Sequence, residues 1–259
     1  MLQKYEEVEI IIVDDGSTDN SVNVIKFIQN EFPNRQIKLI CQNNSGQANA
    51  VNIGLSHVTG DIIGWINSDD FYVDGAFSHV ARVFQNPEVA VVFGDINVVD
   101  LSGKFIHSLE HFDFSYLIAT FTGFANNMSN NAVFWKKESY GNNFRLQADF
   151  KCSLDNELFS RLTYLKKVVH INKKLANFRV QNFSKASINS PNWDSILRKE
   201  DLIVFENAYQ NLMLKKYLSV SLAKRLIPFF IFYRRFLKLI SGRVVKTIIS
   251  NFRYNFKNN

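Results

Sequence analysis

The run Val8-Glu-Ile-Ile-Ile-Val13, stopped by Asp14-Asp15-Gly16, constrains the fold more than any other stretch of the 259 residues. It is short, β-branched and almost continuously apolar, the pattern of a strand buried on both faces. A helix directly after it makes the next pairing parallel. Ser17-Thr18-Asp19 supplies cap residues, and Ser21 to Phe32 then carries Val22, Val24, Ile25, Ile28 and Phe32 at helical spacing before Pro33 ends it. Ile37 to Cys41 reads as a second strand, Gln47 to His57 as a second helix and Asp61 to Ile66 as a third strand. Asp74 to Phe84 follows as a helix and Val89 to Phe93 as a strand ending at Gly94-Asp95. The β-α-β-α-β rhythm predicts an open α/β sheet over the first hundred residues.

In such sheets ligands sit at the carboxyl ends of the strands. Asp14-Asp15, Asn67-Ser68-Asp69-Asp70 and Gly94-Asp95 are all expected at that edge. Two carboxylates leaving one strand end make a hard-oxygen site suited to Mg²⁺ or Mn²⁺ beside the phosphates of a ligand.

A chain that is 46% apolar and 14% aromatic has ample material for a core. Cys41 and Cys152 match no metal or redox spacing, and read as buried thiols in a reducing compartment. The net charge of +6 is uneven, because Lys215 to Lys257 holds eleven Lys or Arg and no Asp or Glu. Met1 to Glu7 lacks the apolar region of a signal peptide, and no stretch reaches the roughly 20 apolar residues of a membrane span. The expected location is cytoplasmic, at the inner face of a membrane. Three regions follow: an α/β half over 1–105, a second half over 106–187 with an amphipathic helix from Leu154 to Tyr164, and a helical basic tail over 188–259, linked through Asn189 to Trp193.

Three segments now stand together. Ile11-Ile-Val-Asp-Asp-Gly-Ser-Thr-Asp-Asn-Ser21, Asn44-Ser-Gly-Gln-Ala-Asn-Ala-Val-Asn-Ile-Gly54 and Thr59-Gly-Asp-Ile-Ile-Gly-Trp-Ile-Asn-Ser-Asp-Asp70 resemble, in order and spacing, the family 2 glycosyltransferases of the GT-A fold. The resemblance covers about residues 1 to 185. It implies an open, mostly parallel α/β sheet flanked by helices, a nucleotide-diphosphate sugar donor, a glycan or lipid-linked acceptor, a divalent cation (Mn²⁺ or Mg²⁺) and inversion at the anomeric carbon. Surface polysaccharide or glycolipid assembly is the implied setting.

By motif, Asp14 matches the acid that contacts the nucleobase, and its other reading is a turn residue before Gly16. Gly46, Asn49 and Asn52 border the nucleotide in the resemblance. Gly46 permits close backbone approach, and the asparagines open a helix whose N-terminus favours phosphate, or simply cap it. Asn67-Ser68-Asp69 stands where the family has Asp-x-Asp, which makes Asp69 the metal ligand, Asp70 its neighbour and Asn67 a partner of ribose or metal-bound water. Asp155, in Leu154-Asp-Asn-Glu-Leu-Phe-Ser-Arg-Leu162, matches the family's general base; Glu157 is read mainly as a helix-start residue, a role open to Asp155 as well.

Family members usually open with a further strand and helix before the segment matching Val8 to Asp14. This chain is read as starting after them, which leaves a non-catalytic nucleotide-sugar binder as the alternative function. His107-Ser-Leu-Glu-His111 fits an inverted zinc-protease pattern but lacks a helical context, and is read as a pair of core-edge histidines. Ile227 to Ile240 mixes a wide apolar face with Arg234, Arg235 and Lys238, which points to a membrane surface or to packing on the catalytic domain. The basic residues match no nucleic-acid motif, so none is expected as a partner.

Overall fold

A computed structural model describes residues 7–141, 143–180 and 192–241. Most of the expected linker at Asn189–Trp193, and the tail beyond 241, lie outside the described residues.

The first apolar run forms β1 (Glu9–Asp14), and the helical pattern after it forms α1 (Ser21–Glu31). β1 pairs in parallel with β2 (Gln36–Cys41), Asp14 standing opposite Cys41. Helix α2 (Gln47–Ser56) lies against β1, where a Cβ on Gly54 would meet Val13 at 3.4 Å. Among the described residues these two strands form a sheet of their own.

The larger sheet has six strands: β3 (Ile62–Gly64), β4 (Phe71–Tyr72), β5 (Val89–Val99), β6 (Phe105–Leu109), β7 (Val133–Lys136) and β8 (Lys167–Arg179). Their order is β3-β7-β5-β8-β4, with β6 also on β5. β5 and β8 run parallel, whereas the β3–β7, β5–β7, β5–β6 and β4–β8 pairs are antiparallel. The open α/β class holds, with strands of mixed direction.

Alternation along β5 sends Val91 and Phe93 to one face and Val92 to the other. The first face packs Phe93 and Trp135 against Leu158 and Leu162 of α5 (Leu154–Thr163) and Val204 and Ala208 of α6 (Trp193–Tyr209). The second packs Val92 and Leu175 against Val80 and Phe84 of α3 (Ala76–Phe84). Each such fully buried side chain contributes about 1.5–3 kcal/mol. A third cluster joins Phe121 of α4 (Tyr116–Thr122) to Phe205, Tyr209 and Ala223, the last on α7 (Val220–Lys224), and reaches Phe230 of α8 (Ile227–Ile240).

Three expectations are corrected. β1 is only half-buried along its apolar residues, because among the described residues it has one strand partner and one covering helix. Cys41 is exposed and Cys152 half-buried, since each ends or precedes an element at its rim. Asp95 does not end a strand: β5 runs on to Val99 through a register shift at Gly94, where Leu175 presses so close that a Cβ would stand 2.4 Å from its Cγ. In keeping with the reading of core-edge histidines, His107 lies on strand β6, so it and His111 do not share a helix face.

Candidate active site

Asp14 closes β1 as a buried residue, and its Oδ2 accepts from the Ser17 N–H at 3.1 Å. Its neighbour Asp15 makes the larger set of contacts. The Asp15 carboxylate accepts from Gln42 Nε2 (2.6 Å), Ser45 N (2.8 Å) and Gly46 N (2.9 Å), which ties the end of β1 to the start of α2. The bond from Gln42, followed by those from Ser45 and Gly46, holds this carboxyl below the usual range. The two amides that precede α2 are thus spent on a carboxylate of the chain itself. Gly46 is required for its backbone, with φ at +91°, while the direction a Cβ would take is open space.

The three asparagines of this region take separate positions. Asn49 turns back, its Nδ2 donating to the Ser45 carbonyl at 2.8 Å. Asn52 clips the Leu146 backbone with both side-chain atoms, donating to its carbonyl at 2.8 Å and accepting from its N–H at 2.7 Å. Asn67 Oδ1 accepts from Gln47 Nε2 at 3.2 Å, which brings the tip after β3 to the first turn of α2.

The two neighbouring acids of the strand tip part company. Asp69 is half-buried. Asp70 turns towards the end of β8, where its Oδ1 accepts from the Arg179 N–H at 2.9 Å and its Oδ2 from Asn131 Nδ2 at 3.3 Å. Burial raises the Asp70 carboxyl to about 6; Asp69 adds to the rise and the two hydrogen bonds oppose it. Among the described residues no group of three or more His, Cys, Asp or Glu is gathered to hold a metal. Asp69 offers one carboxylate, a number that suits Mg²⁺ or Mn²⁺ when substrate phosphates complete the shell.

Asp155 lies in the first turn of α5, half-buried, its Oδ1 accepting from the Asn156 N–H at 2.8 Å. Burial raises this carboxyl to about 6; the Asn156 N–H opposes the rise and the Asp201 charge adds to it. Glu157 is buried and engaged, bidentate, by Arg161 at 2.5 and 2.7 Å. Arg161 also donates to the carbonyls of Asn143 and Arg145, so the pair braces the loop whose Leu146 Asn52 clips.

Sequence reasoning missed the acids on α6. Glu200, 8% exposed, accepts from the backbone N–H groups of Lys151, Cys152 and Ser153, each at 2.8 Å. Asp201 Oδ1 accepts from Ser153 Oγ (2.7 Å) and Asn156 Nδ2 (2.8 Å). A signal was present: Glu200 stands one helical turn before Val204 and two before Ala208, on the buried face of α6.

Asp95 belongs to a buried knot beneath the sheet rather than to its edge. It accepts from His170 Nε2 and from the His111 N–H, each at 2.9 Å, with Lys174 Nζ at 3.5 Å. Burial would raise the Asp95 carboxyl, but the bonds from His170 and His111 outweigh it and hold it low. Burial likewise drives His111 down to about 3.

Set beside known proteins, residues 1–147 match the profile of glycosyl transferase family 2. An uncharacterized glycosyltransferase of Nostoc sp. is 37% identical over 106 residues, 41% of this chain and 33% of that protein. The minor teichoic acid biosynthesis protein GgaA of Bacillus subtilis is 38% identical over 85 residues, 32% of this chain and 19% of that one. The chain therefore spans a third or less of these two relatives. Among solved structures, S. aureus TarS 1–349 in complex with UDP-GlcNAc superposes with a TM-score of 0.61 at 15% identity, over 87% of this chain and 71% of that one. That likeness establishes the fold.

Proposed function

The chain belongs to glycosyl transferase family 2, and from that membership we propose that it moves a sugar, with inversion, from a nucleotide-diphosphate sugar to an acceptor hydroxyl. The observation that carries the proposal is Asp155, a half-buried carboxylate at the start of α5 whose proton affinity is raised to about 6. A base of that strength is largely ionised at neutral pH yet strong enough to take the acceptor proton as the hydroxyl attacks. Asp14, Asn67 and the turn before α2 form the nucleotide side, with Asn49 and Asn52 shaping it through the backbone they hold. A divalent cation bound at Asp69 would neutralise charge on the departing diphosphate. The kinship with a teichoic acid protein supports a polymer or lipid-linked acceptor of the cell surface.

Calorimetry with UDP and GDP plus Mn²⁺, followed by a donor-hydrolysis assay, tests this reading. Asp155→Ala is expected to keep nucleotide binding and lose turnover, and Asp69→Ala to lose Mn²⁺-dependent binding. Wild-type turnover in Asp155→Ala would sink the base assignment. Binding without turnover in the unmutated chain would favour a nucleotide-sugar binder.

The acceptor side of the proposal includes an anionic membrane surface under α8. No helix among the described residues is long and apolar enough to cross a bilayer. α8 is anchored by Phe230, stacked on Phe121 at 4.1 Å, and by Arg234, which donates to Asn127 Oδ1 at 3.0 Å. That leaves Phe229, Phe232, Phe236 and Leu239 exposed along one stripe, Phe232 at 68%. Lys215 to Ser241 adds seven Lys or Arg and no acid. An apolar stripe with basic flanks suits an interfacial helix on acidic lipid. Phe232→Asp with Phe236→Asp should abolish flotation with phosphatidylglycerol vesicles while leaving the melting temperature unchanged; equal flotation would remove the membrane from the proposal.

A further inference from the structure

We propose that Glu200 and Asp201 on α6 are positioning residues, an acidic clamp that fixes the segment carrying Asp155 for proton transfer. The inference rests on the reading of Asp155 as the base.

Three consecutive backbone N–H groups that converge on one point make an anion-binding concavity. Here Lys151, Cys152 and Ser153 form it, and the Glu200 side chain, 47 to 49 residues further along the chain, fills it with three bonds of 2.8 Å. An almost fully buried carboxylate is costly unless hydrogen-bonded, and bonds from amides to a charged acceptor are about twice as strong as neutral ones. The clamp therefore holds the backbone just before Asp155 firmly.

Asp201 grips both flanks of the base. Ser153, the residue at the N-cap of α5, does not cap its own helix with its hydroxyl but donates it to Asp201. Asn156, immediately after Asp155, donates its amide to the same Asp201 oxygen. Asn156 Oδ1 in turn accepts from the N–H groups of Phe124 (2.6 Å) and Ala125 (3.3 Å), which extends the grip to the segment after α4. Residues 153 and 156 are thus both held by α6, with the reacting carboxylate between them. A misplacement of about 1 Å in a catalytic group can cost on the order of 100-fold in rate. α6 packs through Val204 and Ala208 into the main core, so the clamp has a rigid base.

The test compares Glu200→Gln, Asp201→Asn, Asp155→Asn and the Glu200→Gln/Asp155→Asn pair in the full chain. Hydrogen exchange at the amides of 151–153 needs no substrate. Glu200→Gln is expected to accelerate it at least about tenfold, because at least one of the three strong acceptor contacts is replaced by a carboxamide NH2 donor that faces an N–H. Unchanged exchange overturns the clamp. Hydrolysis of whichever sugar in a panel of UDP-, GDP- and dTDP-sugars the wild type turns over supplies the second readout. Glu200→Gln is expected to lower kcat about 10- to 100-fold with KM and nucleotide binding unchanged, and to add nothing to Asp155→Asn. A loss in KM alone, or full additivity with Asp155→Asn, overturns the positioning role. Should Glu200→Gln fail to fold, Asp201→Asn, which leaves the three backbone bonds in place, is judged by the same kcat and additivity criteria. Wild-type kcat in Asp155→Asn defeats the base assignment; full loss there with wild-type kcat in Glu200→Gln defeats the clamp alone.

Discussion

The two sheets are written in the same alphabet and end in different environments. β1, Glu-Ile-Ile-Ile-Val-Asp, and β5, Val-Ala-Val-Val-Phe-Gly-Asp-Ile-Asn-Val-Val, are both dense in β-branched residues. β5 lies between β7 and β8, also pairs with β6, and buries ten of its eleven residues; among the described residues β1 pairs only with β2 and buries only Asp14. Helix α1, beside β2, buries no residue, and Phe27 is 63% exposed. The difference teaches that an apolar run specifies a strand, whereas the number of neighbours specifies its depth.

The charges differ in the same sense. Asp15, in the small sheet's half, is half-buried and held low by its hydrogen bonds, while Asp70 and Asp155, attached to the large sheet's half, are raised by burial. Burial raises a carboxyl only where hydrogen bonds do not outweigh it, since Asp95 of the large sheet is held low by His170 and His111.

The sharpest way to break this contrast is truncation on each side. Trp135→Ala, at a site 1% exposed, should destabilise the fold by about 3–5 kcal/mol in urea titration, and Phe27→Ala by less than about 0.5 kcal/mol. Equal effects would mean that the small sheet is as well packed as the large one. Glycines give a milder version of the same comparison. Gly94→Ala forces a Cβ against Leu175 and should cost about 1–3 kcal/mol, whereas Gly46→Ala meets only the strain of a positive φ, about 1–2 kcal/mol, with no clash.

The smallest expected effect is in pH. With Asp155 raised from 3.8 to about 6, kcat should fall as pH drops through about 6, because the base becomes protonated. The linkage has the opposite sense for stability. The native state holds this proton more tightly than the unfolded chain, so the contribution is full below about 4 and is lost as pH rises to about 6. Over pH 7 to 5 the amides of Ser45 and Gly46 should stay protected, since lowered Asp15 remains ionised. Asp201→Asn should move the acid limb of kcat to lower pH by removing a like charge; a limb that stays in place would show that burial alone sets it.

Much of this was readable in the chain. The strand and helix order through β3, helix α3, the start of α5 at Leu154 and the span of α8 all follow from local periodicity, whereas the two-residue strand β4 was missed, and the three glycosyltransferase-like segments agree with the family match over 1–147. The reading faltered where a side chain's role depends on distant partners. Asp95 looked like a strand end because Gly94 precedes it, yet a register shift carries the strand onward and His111 and His170 enclose the carboxylate. Asp69 and Asp70 looked like a pair, but Asp70 is drawn to Arg179, 109 residues away. Glu200 and Asp201 fell within the region read as a helical basic tail.

By itself, then, the sequence determined the order of elements, the open α/β class and the family, because hydrophobic period, turn residues and motif spacing are properties of neighbours along the chain. Only the tertiary structure decided that β1 is half-dressed, that Asp15 occupies the amides before α2, and that an acidic pair on α6 holds the approach to Asp155. Those outcomes depend on which carboxylate reaches which unpaired N–H across 30 to 50 residues, and no local pattern encodes that choice.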